Sequence, residues 1–137
     1  MQLTLLGTGC PKVDHKRFGP SNLVSSSKAH ILVDCGSGVT QRLNQLKICS
    51  SKINALFLTH LHSDHVIDLY QLIISSWHSY RTKPWLIYGP IGTKKFVNKL
   101  MNAWKDERNL RIRYEKREST EAFNLKIFEF SKYGKIK

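Results

Sequence analysis

At 137 residues the chain has room for one domain with a modest core. A hydrophobic share of 41% is that of an ordinary globular sequence, not of a disordered tract. The 22 Lys and Arg against 10 Asp and Glu leave a net charge of +12, which suits a polyanionic partner such as nucleic acid.

The basic residues are spread out. Residues 1–93 carry 9 basic and 4 acidic side chains, and residues 94–137 carry 13 and 6, so no block reads as a basic tail. Either a dedicated RNA face or a generally basic solvated surface accounts for this balance. Cys10, Cys35 and Cys49 are odd in number and form no C-x-x-C, which points to a reduced, cytoplasmic protein rather than a disulfide framework. No apolar run approaches the ~20 residues that span a bilayer, so no membrane partner is expected.

In chain order, Gln2 to Leu6 reads as a first strand; Met1 to Leu6 lacks the charged start of a signal peptide. Gly7-Thr8-Gly9-Cys10-Pro11 breaks it and opens a long polar loop that includes Lys16 and Arg17. Asn22 to Ser26 and His30 to Val33 form a hairpin around Ser27-Lys28-Ala29. Asp34 to Gly38 is a turn, Val39 to Leu46 a short helix, and Ile53 to Leu58 a buried strand. Val66 to Tyr80 has apolar residues at helical spacing, and Trp85 to Tyr88 is a short strand closed by Gly89-Pro90. Thr93 to Trp104 is an amphipathic helix, Leu110 to Tyr114 and Phe123 to Phe130 are strand candidates, and Ser131 to Lys137 is a polar, basic tail. Trp85 and Trp104 fall at periodic apolar positions and are expected in the core.

The stretch Thr59-His60-Leu61-His62-Ser63-Asp64-His65 follows the strand at Ala55–Leu58. Three histidines and an aspartate within six residues are nitrogen and oxygen ligands with little to gain from packing. On an extended chain His60 and His62 point to the same side, because strand side chains alternate. Asp64 and His65 then fall where the chain turns into the next helix. This spacing suits two metal ions held close together, with Zn, Mn and Fe all compatible with such ligands. Asp68 falls in the first turn of that helix, a favourable place for negative charge. Gly7-Thr8-Gly9 lacks the third glycine of a dinucleotide fingerprint, since Lys12 stands there.

The His60-x-His62-x-Asp64-His65 pattern resembles the signature of the metallo-β-lactamase fold superfamily. Gly7-Thr8-Gly9-x-Pro11, Arg17-x-Gly19-Pro20-Ser21, Val33-Asp34-Cys35-Gly36 and Tyr88-Gly89-Pro90-x-Gly92 follow the order of its ribonuclease Z and arylsulfatase-like branch. The resemblance runs from Met1 to about Trp104. It implies the N-terminal half of an αββα sandwich, an α/β fold with a mixed sheet and helices on one face. It further implies His60 and His62 as ligands of a first zinc ion and Asp64 and His65 as ligands of a second, with Asp64 also a proton acceptor. Coordination lowers the pKa of a bound water towards about 7, and two cations offset charge developing on a phosphoryl or sulfuryl oxygen. Asp34 is implied as a carboxylate that orients the ligands; a turn or helix N-cap is the alternative reading. Lys16 and Arg17 would lie in the loop that approaches the RNA acceptor end, or on an ordinary surface loop. His78 is a helix-face residue read as bordering the substrate cleft.

Two departures stand out. Ser63 takes the place of the glycine usual in ribonuclease Z, and Phe18 that of an asparagine. Family enzymes complete both metal sites with later histidines and a bridging aspartate, whereas His78 is the one histidine after His65. The expectation is a single domain over 1–137 that stops before the C-terminal half of the family fold: a truncated gene product, a fragment of a longer protein, or a half that pairs with a second copy or a complementing chain. The leading functional reading is a metal-dependent hydrolase cleaving RNA phosphodiesters, a tRNA 3′-end processing endonuclease, with doubtful activity alone. An arylsulfatase-like or small phosphodiester hydrolase, or a non-catalytic remnant with a partial metal site, are the alternatives.

Overall fold

A computed structural model describes residues 1–131. Six strands form one sheet in the order β1 (Gln2–Gly7), β2 (Ser21–Ser25), β3 (His30–Val33), β4 (Ala55–Phe57), β5 (Trp85–Pro90) and β6 (Leu125–Phe130). β1 to β3 pair antiparallel, through a long loop and then a short turn, and β3 to β6 pair parallel. Each parallel step needs a crossover. These carry α1 (Val39–Gln45), then α2 (Ser63–Val66) with α3 (Leu69–His78), then α4 (Thr93–Ala103) with α5 (Lys105–Glu115).

Side-chain alternation splits the sheet into two unlike faces. On one, Leu23, Leu32, Leu56 and Ile87 lie in register across four strands, each fully buried. They join Val39 and Leu43 of α1, Leu69, Leu72 and Ile73 of α3, and Val97 of α4 in one core. Truncating such a residue to alanine costs about 2–5 kcal/mol. Among the described residues no helix covers the opposite face. There Leu3 and Leu5 are 64% and 60% exposed. Phe57, Tyr88 and Phe128 stack in a ladder across three strands, at 4.5 and 4.9 Å between ring centroids. The expected mixed sheet with helices on one face is what the chain forms.

Three local expectations need correction. Leu110–Tyr114 is the end of α5, not a strand. Its alternation Leu-Arg-Ile-Arg-Tyr imitates a strand, but Arg111 pairs with both Glu107 and Glu115 at helical spacing. The helix predicted over Val66–Tyr80 is two helices broken at Ile67-Asp68. Asp68 causes the break: its amide donates to the Cys35 carbonyl, and its carboxylate accepts from the Thr40 amide and hydroxyl at 2.8 and 2.7 Å. Burial raises its pKa, against those two bonds. Trp85 is fully buried as expected, but Trp104 is 46% exposed and stacks on Tyr70. Beyond Ser131 the predicted tail lies outside the described residues.

Candidate metal centre

The parallel strands bring their C-terminal ends to one edge of the sheet, and the histidine stretch begins there. β4 stops at Phe57. Leu58 stays buried, and its amide still donates to the Tyr88 carbonyl, so the chain leaves the sheet only at Thr59. His62 keeps an extended backbone and immediately precedes α2, whose first turn contains Asp64 and His65. The three imidazoles gather: ring centroids lie 4.5 Å apart for His60 and His62, and 4.0 Å for His60 and His65. His65 Nε2 faces Asp64 Oδ2 at 3.7 Å.

Asp34 holds this group together. It follows β3, is 4% exposed and has φ 62°, a left-handed backbone that costs a non-glycine residue about 1–3 kcal/mol. Hydrogen bonds offset that strain. The Asp34 amide donates to the Phe57 carbonyl, and its carboxylate accepts from the Thr59 amide at 2.8 Å, the Thr59 hydroxyl at 2.8 Å and His65 Nδ1 at 2.8 Å. Gly36 closes the same corner. A Cβ there would sit 2.6 Å from the Asp64 carbonyl oxygen, so only glycine admits the loop. The N-cap reading of Asp34 is set aside, because Gly38 precedes α1 without any side-chain cap.

These bonds fix the imidazole tautomers. A carboxylate only accepts, so His65 Nδ1 donates to Asp34, and in the neutral ring Nε2 keeps a lone pair. Thr59 has one hydroxyl proton, and it goes to Asp34. Thr59 Oγ1 therefore accepts from His60 Nδ1 at 2.9 Å, which leaves His60 Nε2 with a lone pair as well. In the neutral ring, His65 Nε2 and Asp64 Oδ2 are two electron-rich atoms facing each other. Their 3.7 Å separation is too long for a hydrogen bond and close to the ~3.4 Å edge that follows for two ligands of a tetrahedral ion at about 2.0–2.2 Å. The donor set fits a transition metal. Its rings do not fall into separate pairs, since His60 lies nearer to His65 than to His62. Among the described residues no three His, Cys, Asp or Glu donors converge on one ion.

A cavity of about 430 Å³ opens beside Asp64. The β1–β2 loop forms its other wall, with Cys10, Asp14, His15, Arg17 and Phe18 facing Ser63 and Asp64. Arg17 is thus placed at the cleft; Lys16 is exposed and does not line it, its amide donating instead to Asp14 Oδ1. The expectation that His78 borders this cleft is not met. His78 bonds the Ile74 carbonyl on its own helix and Glu115 on α5, and it lines a different cavity. Sequence reasoning missed the role of Thr59, whose one signal is a hydroxyl directly before the first histidine. It also missed the loop wall at Cys10 to His15, which no local pattern marks.

Comparison with known proteins agrees with this fold. Ribonuclease Z from Mycolicibacterium gilvum is 43% identical over 115 residues, covering 82% of this chain and 40% of that protein. The chain thus spans about two fifths of the curated relatives it matches. The solved structure of human tRNase Z, short form, superposes with a TM-score of 0.75 at 26% identity, over 96% of this chain and 45% of that one. The metallo-β-lactamase fold protein YhfI from Bacillus subtilis shares the fold, with a TM-score of 0.65 at 22% identity over 93% of this chain and 44% of its own. A family profile described as anti-Pycsar protein Apyc1 matches residues 1–131. The chain belongs to that family, on a metallo-β-lactamase fold of the ribonuclease Z-like branch.

Proposed function

We propose that this chain carries the cation-binding edge of a hydrolase that cleaves phosphodiester bonds, with a precursor tRNA 3′ end as its substrate. The observation that carries the reading is the Asp34–Thr59–His60/His65 network, which orients both rings and sets His65 Nε2 3.7 Å from Asp64 Oδ2. His60 and His62 would hold one ion, and Asp64 and His65 a second, with Zn favoured by the nitrogen and oxygen donors and Mn or Fe compatible. When bound, such ions make water acidic enough to ionise near neutral pH and offset negative charge on a phosphoryl group. Asp34 orients the rings, and Asp64 is placed to take up a proton at Oδ2. Arg17 at the cleft mouth adds a fork of donors for a phosphate. The net charge of +12 favours an RNA. Three unbridged thiols suit a reducing cytoplasmic compartment.

A second reading, a small phosphodiester or an aryl sulfate as substrate, is favoured by the cavity beside Asp64. Its volume of about 430 Å³ lies in the range of small-molecule sites, and the matched family is described as an anti-Pycsar protein, not as a nuclease. The deciding assay compares precursor tRNA, a generic phosphodiester and an aryl sulfate, with added Zn or Mn. It is run with the chain alone and with the C-terminal half of a relative supplied separately. Cleavage of tRNA supports the first reading. Turnover of the small diester or sulfate alone supports the second. No turnover in either arm, with metal bound, leaves a non-catalytic remnant and refutes both.

A further inference from the structure

At the end of the sheet away from the histidines, a buried arginine has no counter-charge among the described residues. Arg81 is 3% exposed. Its Nε donates to the Lys83 carbonyl, its Nη1 to the carbonyls of Ile53 and Ser51, and its Nη2 to that of Pro84, at 2.7 to 3.2 Å. The guanidinium lies 4.0 Å from the centre of the Trp85 ring. Every partner is a neutral carbonyl or a ring. Among the described residues no carboxylate pairs with Arg81. Four of its five N–H groups are committed, which leaves one Nη2 donor.

Beside this group lies a cavity of about 400 Å³. Ser51, Lys52, Tyr80, Arg81, Thr82 and Lys83 line it, and no acidic residue does. Burying a cation in such a place is costly unless an anion or a good set of hydrogen bonds compensates it. Burial pulls the Arg81 guanidinium down to about 10, and no neighbouring charge opposes the shift. Lys52 and Lys83 are exposed at the same opening. Three cations with two hydroxyls and a free N–H make a match for a doubly charged, oxygen-rich group. Tyr80, 74% exposed with φ 59°, presents a ring on the same wall. Ile53 and Pro84 precede β4 and β5, whereas the histidine stretch follows β4. The two sites are therefore separated by roughly six residues of extended chain, on the order of 20 Å.

We propose that this pocket is an anion site that takes a phosphate group, with Arg81 at its floor and Lys52 and Lys83 at its mouth. The phosphate comes either from free inorganic phosphate or from a nucleotide whose base lies on Tyr80.

The test is titration calorimetry on the 137-residue chain with chelator present and His60→Ala and His62→Ala installed, so that the metal edge cannot contribute. Inorganic phosphate and a nucleoside monophosphate are the two probes. Arg81 variants risk unfolding, so Lys52→Glu with Lys83→Glu is the informative change. Saturable binding that falls by about tenfold or more in that double variant is expected, since two charge-assisted contacts are reversed. Further weakening of the nucleotide alone by Tyr80→Ala assigns the nucleotide, and equal binding of both probes assigns free phosphate. Heat that never saturates, or affinity unchanged by the double charge reversal, overturns the site.

Discussion

Asp34 and His65 stand 31 residues apart in sequence, yet His65 Nδ1 donates to Asp34 Oδ2 at 2.8 Å. The same carboxylate takes the Thr59 amide and hydroxyl, so one buried aspartate ties the end of β3 to both ends of the histidine stretch. Asp34→Ala should therefore act twice. Leaving the Thr59 and His65 donors unpaired should cost about 2–4 kcal/mol of stability in urea unfolding. Freeing both imidazole rings should weaken Zn binding by about 10- to 100-fold in calorimetry. Asp34→Asn keeps the shape but can only donate or accept weakly at His65, and should fall between. Unaltered Zn affinity in Asp34→Ala would remove the aspartate from the metal edge.

His60→Ala with His62→Ala should abolish transition-metal binding by the pair while leaving the fold intact, because His62 is exposed and neither ring belongs to the core. Equilibrium dialysis against Zn or Mn, beside far-ultraviolet circular dichroism, reads both. Equal metal stoichiometry in the double variant would show that the ligands lie elsewhere.

Much of this was legible in the residues. The histidine stretch stood out because nitrogen ligands at that spacing have no packing role, and β4 stood out because Ala55-Leu56-Phe57-Leu58 is a short continuous apolar run. Long-range relations were less legible. Leu110–Tyr114 carries the alternation of a strand and becomes helix because Arg111 finds Glu107 and Glu115 one turn away on either side. The break at Asp68 depends on Thr40 and Cys35, more than two dozen residues earlier. Thr59 is given no role by the residues alone. Its role appears only once Asp34 is folded beside it to take its single proton.

The uncovered sheet face yields a solubility prediction. Leu3 and Leu5 contribute little to the core at 64% and 60% exposure. Leu3→Lys with Leu5→Lys should change unfolding stability by within about 0.5 kcal/mol each, as surface substitutions do. It should also lower the fluorescence of an apolar-surface dye and delay aggregation, because a contiguous exposed apolar patch is an association liability. A large loss of stability would mean that this face is covered in the folded chain.

Tyr70 provides a pH test. Its hydroxyl donates to Glu107 at 2.8 Å, and burial first, then that carboxylate, push its pKa to about 12. The unfolded phenol titrates near 10. The folded pKa is the higher one, so the contribution is fully present below pH 10 and is lost as the pH rises through about 12. Tyr70→Phe lacks the hydroxyl. Its melting temperature should lie below that of the parent at pH 8, and the gap should close between pH 10 and 12 in parallel thermal scans. A gap constant with pH would show that the phenol proton plays no part.

The final expectation concerns turnover, and it rests on counting ligands. On the proposed assignment His60 and His62 would give one ion two protein ligands, and Asp64 and His65 would give a second ion two. A structural zinc ion normally has four such ligands and a catalytic one about three. Among the described residues no further His, Cys, Asp or Glu joins either pair to make three. Each ion should be held weakly and hydrolysis by the isolated chain should be slight, with Zn or Mn saturating it only at high concentration. Supplying the C-terminal half of a ribonuclease Z relative should raise both metal affinity and rate, because the deficit is in ligands and not in the Asp34 scaffold. Asp64→Ala should abolish whatever rate is present, since on the proposed assignment it would remove a ligand and the proton acceptor together. The measurement is initial rate on a generic phosphodiester and on precursor tRNA, as a function of metal concentration. Robust turnover by the isolated chain at low metal, lost in Asp64→Ala, would mean that two protein ligands per ion suffice at this site.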